Sequence, residues 1–225
     1  MFFFDPVYFL VVGPFLLVAM WASWRVRSTF ARFSGVGVRS GMTGAQAAAA
    51  VARAGGAMVS IEKHQGFLSD HYDPRSKTLR LSPDVHDGRS IAAIAVAAHE
   101  AGHSIQDVKG YAWLGLRTKL VPVCAFGSNA WVWIFIAGMI LQLPLLANIG
   151  ILLFAVVVVF QLVTLPVEFD ASNRAKLVLA QSGIVATEEE KSGVASVLNA
   201  AAMTYVAAAL TSIATLAYLL MRRRN

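Results

Sequence analysis

The sequence predicts a mainly α membrane protein with about four transmembrane helices and a small α+β lobe in water. Apolar residues make up 57% of the 225 residues and charged residues only 14%, whereas soluble domains carry about 25% charged residues. Several apolar runs approach or exceed the roughly 20 residues that cross a bilayer. All five histidines and most charges lie between positions 25 and 120, where no run is long enough to span.

The first apolar run, residues 6–24, predicts an uncleaved anchor rather than a signal peptide. It ends in Trp21 and Trp24 before Arg25, an order typical of a membrane interface followed by cytoplasm. A signal peptide would carry its positive charges before the apolar core. The whole chain then divides into five predicted segments: an anchor (1–24), a water-facing lobe (25–120), a transmembrane hairpin broken at Pro144 (121–167), a helix (168–193), and a last transmembrane helix with a basic tail (194–225).

The distribution of basic residues predicts the orientation. Sixteen of the nineteen Lys and Arg lie in 25–119 or 174–191, and the positive-inside rule places such segments in the cytoplasm. The tail Arg222–Arg224 opposes this if the last run crosses the membrane. No basic tract suits nucleic acid, so no nucleic-acid partner is expected. The single cysteine, Cys124, excludes an intramolecular disulfide and leaves His and carboxylate as metal ligands.

Local signals predict the elements of the lobe. Thr43 as N-cap with Gln46 at N3 predicts a helix from Gly44 to Ala54, ended by two glycines. Alternation of apolar and polar residues predicts strands over 58–62 and 77–82. A second helix is expected to begin near 88–90. The free edge of the second strand could pair with an extended polypeptide, although an ordinary sheet covering the helix fits equally.

That second helix carries the sequence His99-Glu100-Ala101-Gly102-His103. Residues four apart share a helix face, so His99 and His103 can bind one metal ion while Glu100 projects in a neighbouring direction. The pattern is typical of zinc peptidases, with the Glu as general base; chance is the alternative. Gly102 costs a helix about 1 kcal/mol relative to Ala, which predicts a close backbone approach there.

A catalytic zinc uses three protein ligands, and no third His follows at the short spacing of some zinc peptidases. Glu168, at the end of the third span and predicted to begin a helix, is the first candidate, and Asp170 is the second. The alternative is that Glu168 forms an ion pair with Arg174 or Lys176. Asp170 and Arg174, four residues apart, are better spaced for such a pair.

Two further residues are candidates for the site. His71 and Tyr72 stand between acids, and their polar rings suit substrate binding or transition-state stabilisation. If neither Glu168 nor Asp170 binds the metal, His71 and Asp107 are the next candidates. The remaining histidines, His64 and His86, lie in polar stretches where a solvated side chain is expected.

Four stretches carry a resemblance to a known family: Leu68–Ser76, Ala97–Gln106, Phe160–Phe169 and Leu198–Ala209. Through them the chain resembles the YugP-type neutral zinc metallopeptidases of bacterial membranes. The resemblance implies a gluzincin-like site in a zincin-like (minigluzincin) lobe, with zinc bound by His99, His103 and Glu168 and with Glu100 as base. Some membrane gluzincins carry an Asp four residues after the ligand Glu, where this chain has Ser172.

The expected function is that of a membrane-embedded zinc metalloendopeptidase that cleaves proteins at or near the membrane surface. Its expected location is the bacterial inner (plasma) membrane, multi-pass, with the catalytic lobe in the cytoplasm. Expected partners are the bilayer and protein or peptide substrates, membrane proteins among them; a homo-oligomer or a regulatory membrane partner is compatible with the sequence. The alternative is a zinc-containing membrane scaffold or pseudoprotease. A His-lined transporter is disfavoured because the histidines lie outside the spans.

Overall fold

The computed structural model describes residues 5–66 and 69–223, which form two compact units. The helical unit comprises Met1–Ser23, Gly115–Leu165 and Thr204–Asn225, and the lobe unit comprises Trp24–Leu114 and Pro166–Met203. Parts of three predictions lie outside the described residues: the start of the anchor, Leu68 of the first family stretch, and the end of the basic tail.

The described residues form eight helices and three strands. In chain order they are α1 (Pro6–Val11), α2 (Gly13–Ser34), α3 (Gly44–Ala54), β1 (Ser60–Lys63), β2 (His71–Asp73), β3 (Thr78–Leu81), α4 (Pro83–His86), α5 (Ile91–Val108), α6 (Ala112–Ile140), α7 (Pro144–Gln181) and α8 (Glu188–Arg223). The predicted class, mainly helical with a small sheet, is confirmed at this level.

Three of these helices are long and apolar enough to cross a membrane: α6, α7, and α8 as far as Arg222. The predicted anchor is divided between α1 and α2 and is not one of the three found among residues 5–66 and 69–223. A fourth span therefore stays a prediction. The expected break between the second and third spans lies in the short connection between Ile140 and Pro144.

Helix α7 is longer than the sequence predicts. The expectation that a new helix begins at Glu168 is wrong, because α7 is continuous from Pro144 to Gln181 with Pro166 inside it. A proline in a membrane helix is tolerated where neighbouring helices and Ser/Thr side chains satisfy the disturbed backbone. Thr164, two residues before the proline, donates from Oγ1 to the Phe160 carbonyl at 2.8 Å, whereas the carbonyl that loses its backbone donor to the proline is that of Leu162.

The helical unit has its own apolar core, formed mainly by α6, α7 and α8, with Phe135 and Phe154 among its largest side chains. It also contains a polar cluster. Tyr218 donates to Asp5 Oδ2 at 2.8 Å, and Arg222 Nε lies 3.2 Å from the same oxygen. Arg222, the first residue of the predicted basic tail, is therefore paired with an acid of the N-terminal segment.

In the lobe unit, α3 packs against α5. The predicted capping box is present: Gln46 N donates to Thr43 Oγ1 at 3.2 Å, and Thr43 N donates to Gln46 Oε1 at 2.9 Å. The face of α3 that includes Ala47 and Val51 is fully buried in the same core as Ile94 of α5. The Ala-rich faces of both helices allow this packing because small side chains let helix backbones approach closely.

The sheet has the strand order β1-β3-β2, with β1 parallel and β2 antiparallel to β3. The predicted second strand is therefore the central one, and the expectation that its edge is free for a substrate is wrong. Both its edges are paired because β2, a three-residue polar strand over His71–Asp73, lies beside it. So short a strand shows too little alternation to be predicted from the sequence. The alternative, an ordinary sheet beside α5, describes β3 correctly.

Candidate metal centre

Helix α5 presents the two imidazoles. Ser90 caps its first turn by accepting from Ala93 N at 3.2 Å, and the helix runs unbroken through His99 and His103. The two rings lie one turn apart on one face, with centroids 4.8 Å apart. Glu100 and His103 are buried. The predicted helix and the predicted shared face of the two histidines are therefore present.

Helix α7 presents a carboxylate to this pair. Glu168 is 2% exposed, and its Oε2 lies 3.1 Å from His99 Nε2 and 3.6 Å from His103 Nε2. One ligand atom from each of the three residues lies within 4.8 Å of the other two, and no other such group of His, Cys, Asp or Glu occurs in the described part of the chain. Two imidazoles and one carboxylate are a ligand set that catalytic zinc uses, so these residues fit a zinc ion.

The two helices meet at Gly102. A Cβ at this position would lie 2.4 Å from the Ala171 carbonyl oxygen, a distance that real Cβ atoms do not adopt. The predicted close backbone approach is thus present, and its partner is the turn of α7 that follows Glu168. Only glycine lets the α7 backbone come this near, which carries the Glu168 carboxylate to the two histidines.

The other nitrogen of each imidazole is also held. Ser172 Oγ lies 3.1 Å from His99 Nδ1. Gln106 Oε1 lies 3.0 Å from His103 Nδ1. Sequence reasoning missed Gln106, although its position three residues after His103 places it beside that ring. Partners of this kind orient metal-binding histidines and raise their basicity.

Asp170, the second candidate for the third ligand, lies beside the metal cluster, but its carboxylate binds Gln106 and Arg174 instead. Its Oδ2 accepts from Gln106 Nε2 at 2.8 Å and from Arg174 Nε at 2.6 Å. The ion pair that the four-residue spacing predicts is therefore present. The Arg174 guanidinium also lies over the Tyr111 ring, 5.8 Å from its centroid.

Comparison with known proteins identifies the family of this chain. A family described as "Putative neutral zinc metallopeptidase" matches residues 8–224. The chain belongs to this family. It is also 46% identical over 197 residues, 87% of each chain, to a Bacillus subtilis (strain 168) protein named "Putative membrane protease YugP". The comparison with solved structures found no match.

Membership confirms the resemblance to the YugP-type neutral zinc metallopeptidases and makes zinc the cofactor that the family implies. The name of the B. subtilis relative and the three apolar helices both associate the metallopeptidase with a membrane. Within the family-matched region the three residues of the metal cluster come from two different helices, and Glu168 follows His103 by 65 residues, which a local motif alone does not specify.

The structure places Tyr72 and His71 outside the metal cluster. Tyr72 is in β2, and its hydroxyl donates to Asp107 Oδ2 at 2.6 Å, to which Lys77 Nζ also donates. Burial, followed by the hydrogen bond to Asp107, raises the pKa of the Tyr72 phenol well above its ordinary value of 10. Asp107, a further candidate ligand, is thus engaged by a phenol and an ammonium. Its carboxylate belongs to this second cluster.

His71 is exposed, and its side chain leaves β2 on the face opposite to Tyr72, because successive strand residues alternate. Its Nδ1 lies 2.8 Å from the Ser69 carbonyl oxygen, and its ring meets the edge of His64 with centroids 5.5 Å apart. His86 Nδ1 lies 2.7 Å from Asp87 Oδ1. None of these three histidines is part of the metal cluster.

The two acids flanking His71 and Tyr72 support the sheet. Asp70 accepts from Ser82 N at 2.7 Å, and burial raises the pKa of this carboxyl above its ordinary value. Asp73 accepts from Ser76 Oγ at 2.8 Å and from Arg80 Nη1 at 3.0 Å. These hydrogen bonds, that of Ser76 first, hold the pKa of Asp73 well below its usual range. Both acids thus have structural partners at the strand ends.

Proposed function

We propose that the chain is a membrane-embedded zinc metalloendopeptidase that hydrolyses peptide bonds of proteins at or near the membrane surface. The observation that carries the proposal is the convergence of His99, His103 and Glu168, with one ligand atom from each within 4.8 Å of the others. Glu100, the residue of the motif that does not bind metal in zinc peptidases, lies on the same helix.

His99, His103 and Glu168 would hold the zinc. When bound, zinc polarises the carbonyl of the peptide bond and acidifies water at neutral pH. Glu100 is the general base. It takes one proton from the water that attacks the carbonyl carbon, and it returns that proton to the amine nitrogen as the C–N bond breaks. The carboxylate of Glu100 is regenerated, and the products are a new carboxyl and a new amine terminus.

The continuity of α7 supports a site at the membrane surface. The same helix carries an apolar run long enough to span a bilayer and, further along, Glu168. In our proposal the metal is therefore held jointly by the motif helix and by the extension of a membrane helix. Substrates would be proteins cut near or just outside their own spans, and the concentration of basic residues in 25–119 and 174–191 favours a cytoplasmic lobe.

Glu100→Gln is the variant that tests this function, made in the full-length protein purified in detergent. We expect wild type to contain about one zinc per chain. Glu100→Gln should keep the zinc and the fold yet lower hydrolysis of casein or a membrane-protein substrate by about 10²- to 10⁴-fold. His99→Ala or His103→Ala should lose the zinc. Glu189→Gln, an exposed acid in the first turn of α8, is the matched control and should behave as wild type.

The rival, a zinc-containing scaffold or pseudoprotease, makes a different prediction. It requires zinc in the wild type, no cleavage of any substrate, and no difference between wild type and Glu100→Gln. Cleavage by Glu100→Gln at the wild-type rate would instead disprove the role of the base. If the peptidase proposal stands, proteins captured by Glu100→Gln in native membranes and identified by mass spectrometry would define the substrate class.

A further inference from the structure

Behind His103, on the side away from the ligand atom, lies a buried amide. Gln106 is 0% exposed, and both N–H donors and the carbonyl oxygen of its side chain are used. Its Nε2 donates to the Val167 carbonyl oxygen at 2.7 Å and to Asp170 Oδ2 at 2.8 Å. Its Oε1 lies 3.0 Å from His103 Nδ1. A buried amide satisfied in this way is rigid, because any rotation breaks hydrogen bonds that water cannot replace.

Chemistry fixes which way this amide points. A backbone carbonyl accepts hydrogen bonds and cannot donate them, and the Asp170 carboxylate is an acceptor held by the Arg174 guanidinium. Both therefore require the NH₂ group of Gln106, which leaves the amide oxygen facing His103. An amide oxygen also only accepts. The hydrogen bond at 3.0 Å therefore requires a hydrogen on His103 Nδ1. The Glu168 carboxylate on the other side of the ring is also an acceptor, but its Oε2 lies 3.6 Å from Nε2, beyond hydrogen-bond distance, so in a neutral ring the hydrogen is on Nδ1 and the lone pair on Nε2.

We propose that Gln106 is a positioning residue for the metal centre, and that Asp170 acts through it. Together they hold His103 in the tautomer whose Nε2 lone pair faces Glu168, before any metal binds. The consequence for zinc rests on the function proposed above, whereas the tautomer does not. Asp170 thus has a role in the site although its carboxylate is turned to Gln106 and Arg174 rather than to the metal cluster.

His99 shows why the amide matters. Its Nδ1 lies 3.1 Å from Ser172 Oγ, and a hydroxyl can donate or accept, so Ser172 alone does not determine the tautomer of His99. Gln106 differs because two acceptors on α7 remove its freedom to turn. The surroundings therefore select the tautomer of His103 but not that of His99. The acceptors that do so lie on the same turns of α7 as Glu168.

The tautomer can be read directly by nitrogen NMR of the full-length protein labelled with ¹⁵N-histidine, in detergent, after zinc removal with a chelator. The shifts of the two ring nitrogens distinguish a protonated nitrogen from one with a lone pair. In wild type we expect His103 to carry its hydrogen on Nδ1. Gln106→Met, which keeps the shape of the side chain and removes its polar atoms, should mix the two tautomers. Gln181→Met, at an exposed glutamine, is the matched control and should match wild type.

Zinc affinity, measured by competition with a chromophoric chelator, provides the second readout. Gln106→Met should weaken zinc binding about 10- to 100-fold, the range found for partners that orient metal-binding histidines. Asp170→Asn should stay within about threefold, because the amide oxygen of Asn still accepts from Gln106. Asp170→Leu should lie between the two. In the Gln106→Met background, Asp170→Leu should add little further loss, because both act through the same contact.

Three results would overturn the proposal: a hydrogen on Nε2 but none on Nδ1 of His103 in wild type, a Gln106→Met protein with the wild-type tautomer and zinc affinity, or fully additive losses in the double variant. If Gln106→Met does not fold, the contrast between Asp170→Leu and Asp170→Asn decides, since only the former should disturb the tautomer. A wild-type protein that binds no zinc would refute the proposed function, while the nitrogen spectrum would still judge the role of Gln106.

Discussion

Helix α5 carries two polar clusters four residues apart, and they are built differently. In the metal cluster of His99, His103 and Glu168, three atoms with lone pairs converge, and the side chains are 13%, 9% and 2% exposed. In the phenol cluster of Tyr72, Lys77 and Asp107, the carboxylate accepts from an ammonium and a hydroxyl, and Lys77 is 56% exposed. The second cluster contains its own cation. The first is arranged to receive one.

The difference comes from the element that faces α5. Strand β2 supplies Tyr72 and the turn before β3 supplies Lys77 to Asp107. Helix α7 instead supplies a carboxylate to His99 and His103, and acceptors to the Gln106 amide. Burying charged and polar groups costs free energy unless they are paired. In the phenol cluster, the Asp107 carboxylate is paired with the Lys77 ammonium near the surface. The metal cluster instead has a buried network that a bound cation would complete.

The largest expected effect distinguishes Glu168, the carboxylate of the metal cluster, from Asp107, the carboxylate of the phenol cluster. Glu168→Gln removes one of three ligands, so zinc affinity should fall by more than about 100-fold. That is the upper limit for losing a residue that orients a ligand without binding the metal itself. Asp107→Asn should retain zinc within about threefold, because Asp107 lies outside the ligand set. Asp170→Asn should do the same, because its amide oxygen still accepts from Gln106. Elemental analysis of the variants purified in detergent measures how much zinc each one retains. Loss of zinc from Asp107→Asn together with its retention by Glu168→Gln would reverse the roles assigned to the two clusters.

The close approach of α5 and α7 gives the next effect. Gly102→Ala places a methyl group 2.4 Å from the Ala171 carbonyl oxygen, and overpacking of this kind costs about 1–3 kcal/mol. We expect a lower thermal midpoint and weaker zinc binding, because α7 must move and take Glu168 with it. Gly115→Ala, where no atom lies within 4 Å of the added methyl, is the control and should show neither. Unchanged zinc affinity in Gly102→Ala would show that the metal cluster tolerates a wider helix separation.

Tyr72→Phe should have a smaller effect, confined to the phenol cluster. Losing the hydrogen bond to Asp107 should lower the free energy of unfolding by about 0.5–1.5 kcal/mol, with zinc affinity and kcat unchanged. Chemical denaturation and peptidase kinetics on the same preparation separate the two quantities. A loss of kcat larger than about tenfold without a loss of stability would restore Tyr72 to the substrate-contacting role that the sequence suggests. His71→Ala, on the opposite face of β2, should leave both quantities unchanged.

The smallest effect is expected at acid pH. The pKa of Asp73 is lowered in the folded lobe by Ser76, Arg75 and Arg80, so its stabilising contribution is present above the unfolded value of about 3.8. That contribution is lost as the pH falls through the lower, folded value. Asp73→Asn should therefore be less stable than wild type at pH 6, and the difference should shrink below about pH 4. A difference independent of pH would mean that packing rather than charge is lost.

Much of this protein is readable from local sequence. The motif helix, the capping box of α3, the apolar helices and the place of Gly102 all follow from residues within one or two helical turns of each other. Such interactions depend on i, i+3 and i, i+4 spacing, which the sequence states directly. The sequence also favours Glu168 over Asp170 as the third metal ligand, and in the structure Glu168 lies beside the two histidines.

Only the tertiary structure decided the rest. Strand β2 is too short to show a period, so its pairing with β3 depends on a neighbour rather than on its own residues. Pro166 lies inside α7, which continues past it to Gln181, as membrane helices can where neighbouring helices satisfy the disturbed backbone. Gln106 meets Val167 across 61 residues and His99 meets Ser172 across 73. Contacts over such separations leave no periodic signal in the chain. They exist because a single glycine lets α5 and α7 touch.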